Sequence, residues 1–323
     1  MVGDGRTLVA PLRIVFLGTP GFAVPTLERL LESWHRVVGV LTQPDRPRGR
    51  GRIVSDSPVK AVAVHGDLPV LQPASLRDAT VDAWLSDLRP DLGVVAAYGK
   101  LLPERLLTIP RLGVVNVHAS LLPRYRGAAP VHRAVMAGER ETGVTIMRVV
   151  RELDAGAMFA KCSRAIGADE TSDSVERALA GIGAELLVSV VDQLAAGTAR
   201  EEPQDDSQAT YARRLTKDEG LIDWSRAAQA IHDQVRGLYP WPHAWTFVGG
   251  LRALVLRTGI GDPVADLAAG TVTGVGHDGV HVAAGDGRTL TIKKLQLEGG
   301  RPMGAGDFLA GHPLSPGATL GQR

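Results

Sequence analysis

The chain is poor in several things, and each shortage removes a class of explanation. It has a single cysteine in 323 residues, Cys162, so an internal disulfide framework and a cysteine-built zinc site are both excluded, which fits a reducing compartment. No run of about eighteen uncharged apolar residues occurs, so no membrane span is expected. The opening MVGDGRTLVAPLR carries no apolar core long enough for a secretory signal. Nor is there surplus charge: 36 basic residues stand against 35 acidic ones, a net +1. Any anionic partner must therefore be met by local clustering rather than by the field of the whole protein. Repeats and heptads are also missing.

What is present is the composition of a soluble globular protein, with 44% hydrophobic and 22% charged residues. A length of 323 residues points to two domains, because single cores stop growing near ~250–300 residues. Arg13–Gly18 is an apolar run ending in glycine, and residues 22–33 follow with helical spacing, Leu27, Leu30 and Leu31 on one side. Further strands are expected at 37–42, 68–71, 91–97, 113–117, 142–150 and 157–166, with helices at 58–64, 76–88, 128–137 and 172–196. This alternation predicts a parallel α/β sheet, and the almost wholly apolar run 91–97 has the character of a buried parallel strand. The turn Gly18-Thr19-Pro20-Gly21 lacks the G-x-G-x-x-G spacing of dinucleotide binders and the Gly-Lys-Ser/Thr of a phosphate loop. It reads as a turn that needs glycine.

Residues 197–210 are polar, without apolar period, and mark a domain boundary. Beyond it come a helix at 225–238, a Tyr239-Pro240-Trp241-Pro242-His243-Ala244-Trp245 stretch read as an aromatic core wedge, and short strands at 253–257, 270–275, 279–283 and 289–297. Strands of that spacing suggest a small barrel of a kind that often binds nucleic acid. The expected division is a disordered extension at 1–11, a catalytic domain at 12–197, a linker at 198–214 and a mostly β domain at 215–323.

The chemistry concentrates in VVNVHASLLPRYRGAAP, residues 114–130. Side chains alternate along a strand, so Asn116 and His118 share one face while Val115 and Val117 take the other. An amide and an imidazole at the mouth of a buried strand, before a loop holding Arg124, Arg126 and Gly127, make a candidate site for carbonyl chemistry. In open α/β sheets ligands sit outside the carboxyl ends of strands, which would gather Gly18, Tyr98 and the Asn116–His118 edge. Asp154, before Gly156, has the place of a turn or cap residue. Its position after a strand of the same sheet also makes it a candidate orienter for His118. Glu152 is the nearby competitor, read as solvent-facing.

A second feature is the segment 43–52, where Arg46, Arg48, Arg50 and Arg52 alternate with proline and glycine against one acid, Asp45. Such a segment cannot bury a core and is expected as a mobile loop. On the residues alone two readings stay open: a solvated loop, or an arm that meets phosphates. Arg213, Arg214 and Lys217 add positive charge at the join of the domains.

Taken in order, Leu17-Gly18-Thr19-Pro20, Thr42-Gln43-Pro44-Asp45-Arg46, Asn116 to Pro123, Arg124 to Pro130, Glu141 to Met147, Leu153 to Gly156 and Tyr239 to Pro242 resemble the methionyl-tRNA formyltransferases, a branch of the folate-dependent formyltransferases. The resemblance implies a Rossmann-like parallel-sheet formyltransferase domain followed by an OB-like barrel. It also implies transfer of the formyl group of 10-formyltetrahydrofolate to the α-amino group of initiator methionyl-tRNA, without a metal. By matching position, Asn116, His118 and Asp154 are the catalytic set, and Ser120, Leu121, Leu122 and Pro123, with Tyr98, contact folate. Arg46, Arg48, Arg50, Arg52, Arg213, Arg214 and Lys217 contact tRNA, with Arg50 at the position of an arginine that wedges into the acceptor stem. Ala119 and Ala157 depart from residues found in other members, and the first eleven residues match nothing. A cytoplasmic monomer that needs no membrane is expected. The rivals are a formyltransferase for a small amine and an RNA-binding module with a degenerate sheet domain.

Overall fold

A computed structural model describes residues 10–48, 53–264 and 266–321. The chain divides into two compact units: one holds the residues up to Ala128, Gly143–Arg164 and Glu176–Tyr211; the other holds Ala129–Thr142, Ala165–Val175 and Ala212–Arg323. Each unit thus takes segments from several parts of the chain.

The first unit is built on a seven-stranded sheet. In spatial order its strands are Met158–Ala165, Glu141–Arg148, Val114–His118, Leu92–Ala96, Arg13–Gly18, Arg36–Leu41 and Val70–Leu71. The last five run parallel, whereas Glu141–Arg148 runs antiparallel to Val114–His118. The parallel strands are apolar along their length because both faces are covered: every residue of Leu92–Ala96 is buried, and so are Val37 to Leu41. On one face Val117 packs against the long helix Ser172–Ala196, where Gly183 leaves no room for a Cβ: one would stand 2.8 Å from Val117 Cγ1. Ser172–Ala196 is long and apolar enough to cross a membrane by length and composition alone. Val175, Leu179, Leu187, Val190 and Val191 on it are fully buried in the protein.

Arg13–Gly18 lies between Arg36–Leu41, which follows it in the chain, and Leu92–Ala96, which arrives only after the chain has returned from the sheet edge. Strand order reverses there, and the crevice outside the carboxyl ends at such a point is where open α/β sheets bind ligands. Gly18 ends the central strand because nothing larger fits: a Cβ would lie 2.7 Å from the Phe16 ring and 3.0 Å from Ala96 O. After a short turn at Gly21–Ala23 the chain enters the helix Val24–Glu32, which buries Leu27 and Leu30 but leaves Leu31 39% exposed, against its expected place on the same side.

The basic segment expected as a loop is in part ordered strand: Arg46–Arg48 pairs antiparallel with Ile53–Ser55. An antiparallel strand pair draws on local main-chain bonds and needs no core of its own, which is why composition missed it. Arg50 and Arg52 lie outside the described residues.

The second unit carries an antiparallel sheet of order Ala244–Val248, Leu251–Pro263, Arg288–Leu297, Gly279–Ala283 and Val272–Gly276. Its core gathers Ile231, Val235 and Leu238 with Val255, Val280, Ile292 and Phe308. The helix expected from residue 225 begins at Ala228, because Asp223 Oδ1 accepts from both Ser225 N (3.0 Å) and Ser225 Oγ (2.6 Å) and holds a turn there. The aromatic wedge is also corrected. Trp241 is 50% exposed, and Trp224, not Trp241, is the tryptophan in the core. Trp245 sits on the strand Ala244–Val248, with the Arg252 guanidinium 4.3 Å above its ring.

Candidate active site

The strand Val114–His118 delivers Asn116 and His118 at its carboxyl end. Asn116 pairs in register with Val95 and Met147, and His118 with Thr145. The His118 ring is almost wholly buried, at 5% exposure, whereas Asn116 is half-buried. His118 Nε2 lies 3.0 Å from Tyr125 O. A carbonyl oxygen only accepts, so Nε2 carries a proton in this contact. That turns Nδ1 toward Asp154 Oδ2, 3.7 Å away. The separation is within ion-pair range and outside direct hydrogen-bond reach.

Asp154 is held by the same loop that holds His118: its Oδ2 accepts from Gly127 N at 2.8 Å. Its own backbone is left-handed (φ +49°), as is that of Tyr125 (φ +60°), so both loops around the imidazole adopt a conformation that ordinary residues seldom take. Gly156, two residues on, passes so close to Arg148 that a Cβ would stand 1.9 Å from Arg148 O. Only glycine fits there. Glu152 is exposed and stands outside this arrangement.

The turn at 120–123 is pinned from within. Thr145 Oγ1 donates to Ser120 O at 2.7 Å and accepts from Leu122 N at 3.1 Å, while Ser120 Oγ donates to Arg124 O at 2.6 Å. Ser120 is 1% exposed and its hydroxyl is engaged. Leu122 is buried beside Met147 and Met158. Leu121 and Pro123 are the partly exposed members of the turn.

A separate cavity of about 460 Å³ opens at the carboxyl ends of Arg13–Gly18, Arg36–Leu41 and Leu92–Ala96, lined by Thr19, Gln43, Asp45, Ser57 and Tyr98 among others. Neither Asn116, His118 nor Asp154 borders it. Its polar wall is tightly interlinked. Gln43 Nε2 donates to Tyr98 O at 2.8 Å, and Thr42 Oγ1 and Ser57 Oγ lie 2.8 Å apart. The ammonium of Lys60, paired with Asp45, holds the Asp45 carboxyl below its ordinary range, helped by Gln72. Tyr98 borders the cavity, but its hydroxyl is buried without a hydrogen-bond partner, and burial pushes its pKa up to about 12.

In the second unit Arg213, Arg214 and Lys217 are exposed. Their backbone is held by a clamp: Arg133 Nη2 donates to Glu219 Oε1 (3.0 Å) and to Arg214 O (3.3 Å), its Nε to Arg213 O (3.1 Å), and Thr216 N to Glu219 Oε1 (2.9 Å). The Arg133 guanidinium holds the Glu219 carboxyl down to about 2. Among the described residues no group of three or more His, Cys, Asp and Glu side chains gathers in a metal-ligating cluster.

Three contributors escape a reading of the sequence: Thr145, Tyr125 through its carbonyl, and Gln204, whose amide reaches the backbone of Asp154. Thr145 is one β-branched residue in a strand of them, and Gln204 lies in the polar stretch taken for a boundary. Neither position carries a local signal.

Residues 12–191 match the formyl transferase family and residues 214–313 the formyl transferase C-terminal domain. A methionyl-tRNA formyltransferase of Citrifermentans bemidjiense is 49% identical over 97% of this chain and 97% of its own length. That of Methylococcus capsulatus is 48% identical over 96% of this chain and all 100% of its own. Among solved structures, an N-formyltransferase of Helicobacter canadensis in complex with folinic acid and dTDP-3-aminofucose superimposes with a TM-score of 0.67 at 14% identity, over 87% of this chain and 98% of that one. HypX of Aquifex aeolicus with tetrahydrofolic acid superimposes with a TM-score of 0.65 at 16% identity, over 97% of this chain and 51% of that one. At those identities the structures speak for the fold alone.

Proposed function

The chain belongs to the methionyl-tRNA formyltransferase family, and from that premise we propose how its own residues carry the formyl group of 10-formyltetrahydrofolate to the α-amino group of initiator methionyl-tRNA, the reaction that serves initiation of translation. The observation that carries the reading is the His118–Asp154 pair, with Nε2 occupied by Tyr125 O and Nδ1 facing the carboxylate at 3.7 Å.

When an amine attacks a formyl carbon, the new C–N bond leaves negative charge on the formyl oxygen, and the old C–N bond breaks as the departing nitrogen takes a proton. Asn116, half-exposed on the same strand face as His118, offers an amide N–H to that oxygen, the kind of preorganised donor that acyl-transfer sites rely on. His118 keeps one proton on Nε2 toward Tyr125 O. It takes the amine's proton and supplies the leaving nitrogen's at Nδ1, and Asp154 balances the charge that the ring carries in between. The attacking amine needs little activation, because an α-amino group has a pKa of roughly 7.7–8.0 in peptides. These roles run on side-chain donors and ask for no metal.

The donor fits the residues present. A carbonyl-directed amide and imidazole lie at one strand end, and the nearby cavity of about 460 Å³ is of a size that holds a small ligand. In this reading Leu121 and Pro123 offer the outer side of the folate turn that Ser120 and Leu122 brace from within, and Tyr98 supplies a wall of the cavity. Arg46, Arg48, Arg50 and Arg52 of the basic segment, with Arg213, Arg214 and Lys217, meet the tRNA phosphates, so residues 12–197 bear the chemistry and share the RNA with the linker 198–214 and residues 215–323. The enzyme so described works in the cytoplasm as a monomer, without membrane attachment.

One assay tests the whole reading. The purified chain is given 10-formyltetrahydrofolate and, in separate reactions, charged initiator tRNA, charged elongator tRNA, or small amines such as an aminosugar nucleotide. Formylation confined to charged initiator tRNA is expected. Preference for a small amine overturns the assignment of substrate.

A further inference from the structure

Gln204 lies in the stretch expected as a linker and has no part in the chemistry above, yet its amide joins the two loops that frame His118. Its Nε2 donates to Asp154 O at 2.9 Å and to Gly156 O at 2.7 Å. Its Oε1 accepts from Arg126 Nε at 3.0 Å and from Arg126 Nη2 at 2.8 Å. A glutamine amide has two N–H donors and one oxygen with two lone pairs, so every hydrogen-bonding position of this one is filled and it sits only one way round.

The two loops meet at the imidazole. On one side Arg126, itself 3% exposed, stands between Tyr125, whose carbonyl takes His118 Nε2, and Gly127, whose N–H holds Asp154 Oδ2. On the other side is Asp154, left-handed, with Gln204 binding its own carbonyl and that of Gly156 two residues on. The strap that carries Gln204 is anchored at both ends. Glu202 exchanges two backbone bonds of 2.8 Å with Met158, and Thr210 accepts from Tyr125 N through its hydroxyl (2.9 Å) and from Arg126 N through its carbonyl (2.8 Å).

We propose that Gln204 is a positioning residue for formyl transfer: it braces the Asp154 loop against the Arg126 loop and so sets the distance and aim of the Asp154 carboxylate toward His118. A left-handed aspartate is not held in place by its own backbone preference, so its side chain stays aimed only while its neighbours are tied. The proposal rests on the catalytic reading of His118 and Asp154.

The test is steady-state kinetics of the full chain with 10-formyltetrahydrofolate and charged initiator tRNA, per mole of folded protein measured by circular dichroism, for Gln204→Ala, Gln204→Glu, Asp154→Ala and the Gln204→Ala/Asp154→Ala pair. Gln204→Glu keeps an acceptor for Arg126 but sets oxygen against the carbonyls of Asp154 and Gly156, so it releases the Asp154 side alone. Both Gln204 variants are expected to lose about tenfold to 10²-fold in kcat, the scale of an ångström-sized misplacement, with both KM values within about twofold. In the paired variant the Gln204 change is expected to lower kcat no further than Asp154→Ala alone, because residues acting through one another are not additive. A normal kcat in Gln204→Glu, or losses that multiply in full in the paired variant, overturns the bracing role. A normal kcat in Asp154→Ala overturns instead the catalytic reading beneath it.

Discussion

The two units of this chain use their sheets in opposite ways. In the first, the central parallel strands are buried on both faces, so Leu92–Ala96 and residues 37–41 have no side chains to spare along their length. The candidate groups stand where strands stop: Thr19 and Tyr98, which line the cavity, follow two of them, and His118 ends a third. In the second unit the strands alternate, as in Ala244–Val248 with Ala244, Thr246 and Val248 buried and Trp245 and Phe247 half-exposed. Polar and aromatic groups are therefore spread along a surface rather than gathered at an edge. A site concentrated at strand ends should fail abruptly when one group is removed. A surface that collects many weak contacts should fail by degrees.

The contrast can be broken or sharpened by substitution. The largest effect is expected in the first unit: His118→Ala and Asn116→Ala should each lower kcat by about 10²–10³, the usual consequence of losing a group that meets developing charge, while tRNA affinity stays nearly intact. Near-normal turnover in either purified variant would take that residue out of the catalytic set. Arg50→Ala comes next, raising KM for tRNA by roughly tenfold and leaving folate KM alone; if Arg50 neutralises a phosphate, the salt dependence of tRNA affinity should also become shallower. Unchanged kinetics on initiator tRNA would leave the basic segment without a part in docking the tRNA.

A gentler effect is expected in the second unit. Glu219→Gln should destabilise the protein by roughly 1.5–3 kcal/mol at pH 7, the range for a hydrogen bond to a charged partner. The sign with pH follows from the depressed carboxyl. With the folded value near 2 and the ordinary value at 4.5, the stabilisation is whole above pH 4.5 and is lost as pH falls toward 2. Denaturation midpoints of the variant at pH 7 and pH 3 should therefore lie closer together than those of the parent, and an equal gap in both would dismiss the Arg133 clamp as a source of stability.

The smallest effect is expected from Tyr98→Phe. Its hydroxyl has no partner to lose, so stability at neutral pH should change by less than about 0.5 kcal/mol or rise, and kcat/KM should stay within about twofold. Because burial raises the phenol from 10.0 to about 12, the parent loses stability as pH climbs from 10 toward 12, and the phenylalanine variant should not. A large rise in folate KM would show that the hydroxyl meets the substrate after all.

Legibility in the sequence followed the range of the interactions concerned. The long helix Ser172–Ala196 and the strand Gly279–Ala283 were readable to the residue, because apolar period and turn residues are local signals. The helix expected at 76–88 begins at Ala79, where Asp78 caps it by accepting from Thr80 N at 2.9 Å. Such details shift an element's end without changing its kind. Trp241 was misjudged because an aromatic between prolines looks the same in sequence whether it is a wedge or a projection. That Asn116 and His118 share a strand face is legible in their spacing, whereas the positions of Thr145 and Gln204 leave no trace in their own neighbourhoods.

Composition, period and motif by themselves determined an α/β first half, a β-rich second half, and a histidine and an amide sharing a strand face, for these depend on side-chain chemistry and residues a few positions apart. Only the tertiary structure decided that Nδ1 rather than Nε2 faces Asp154, and that a supposed linker closes on the loop behind it. Those outcomes turn on hydrogen bonds between groups as far as 85 residues apart, Tyr125 and Thr210, and on backbone angles that no local preference dictates.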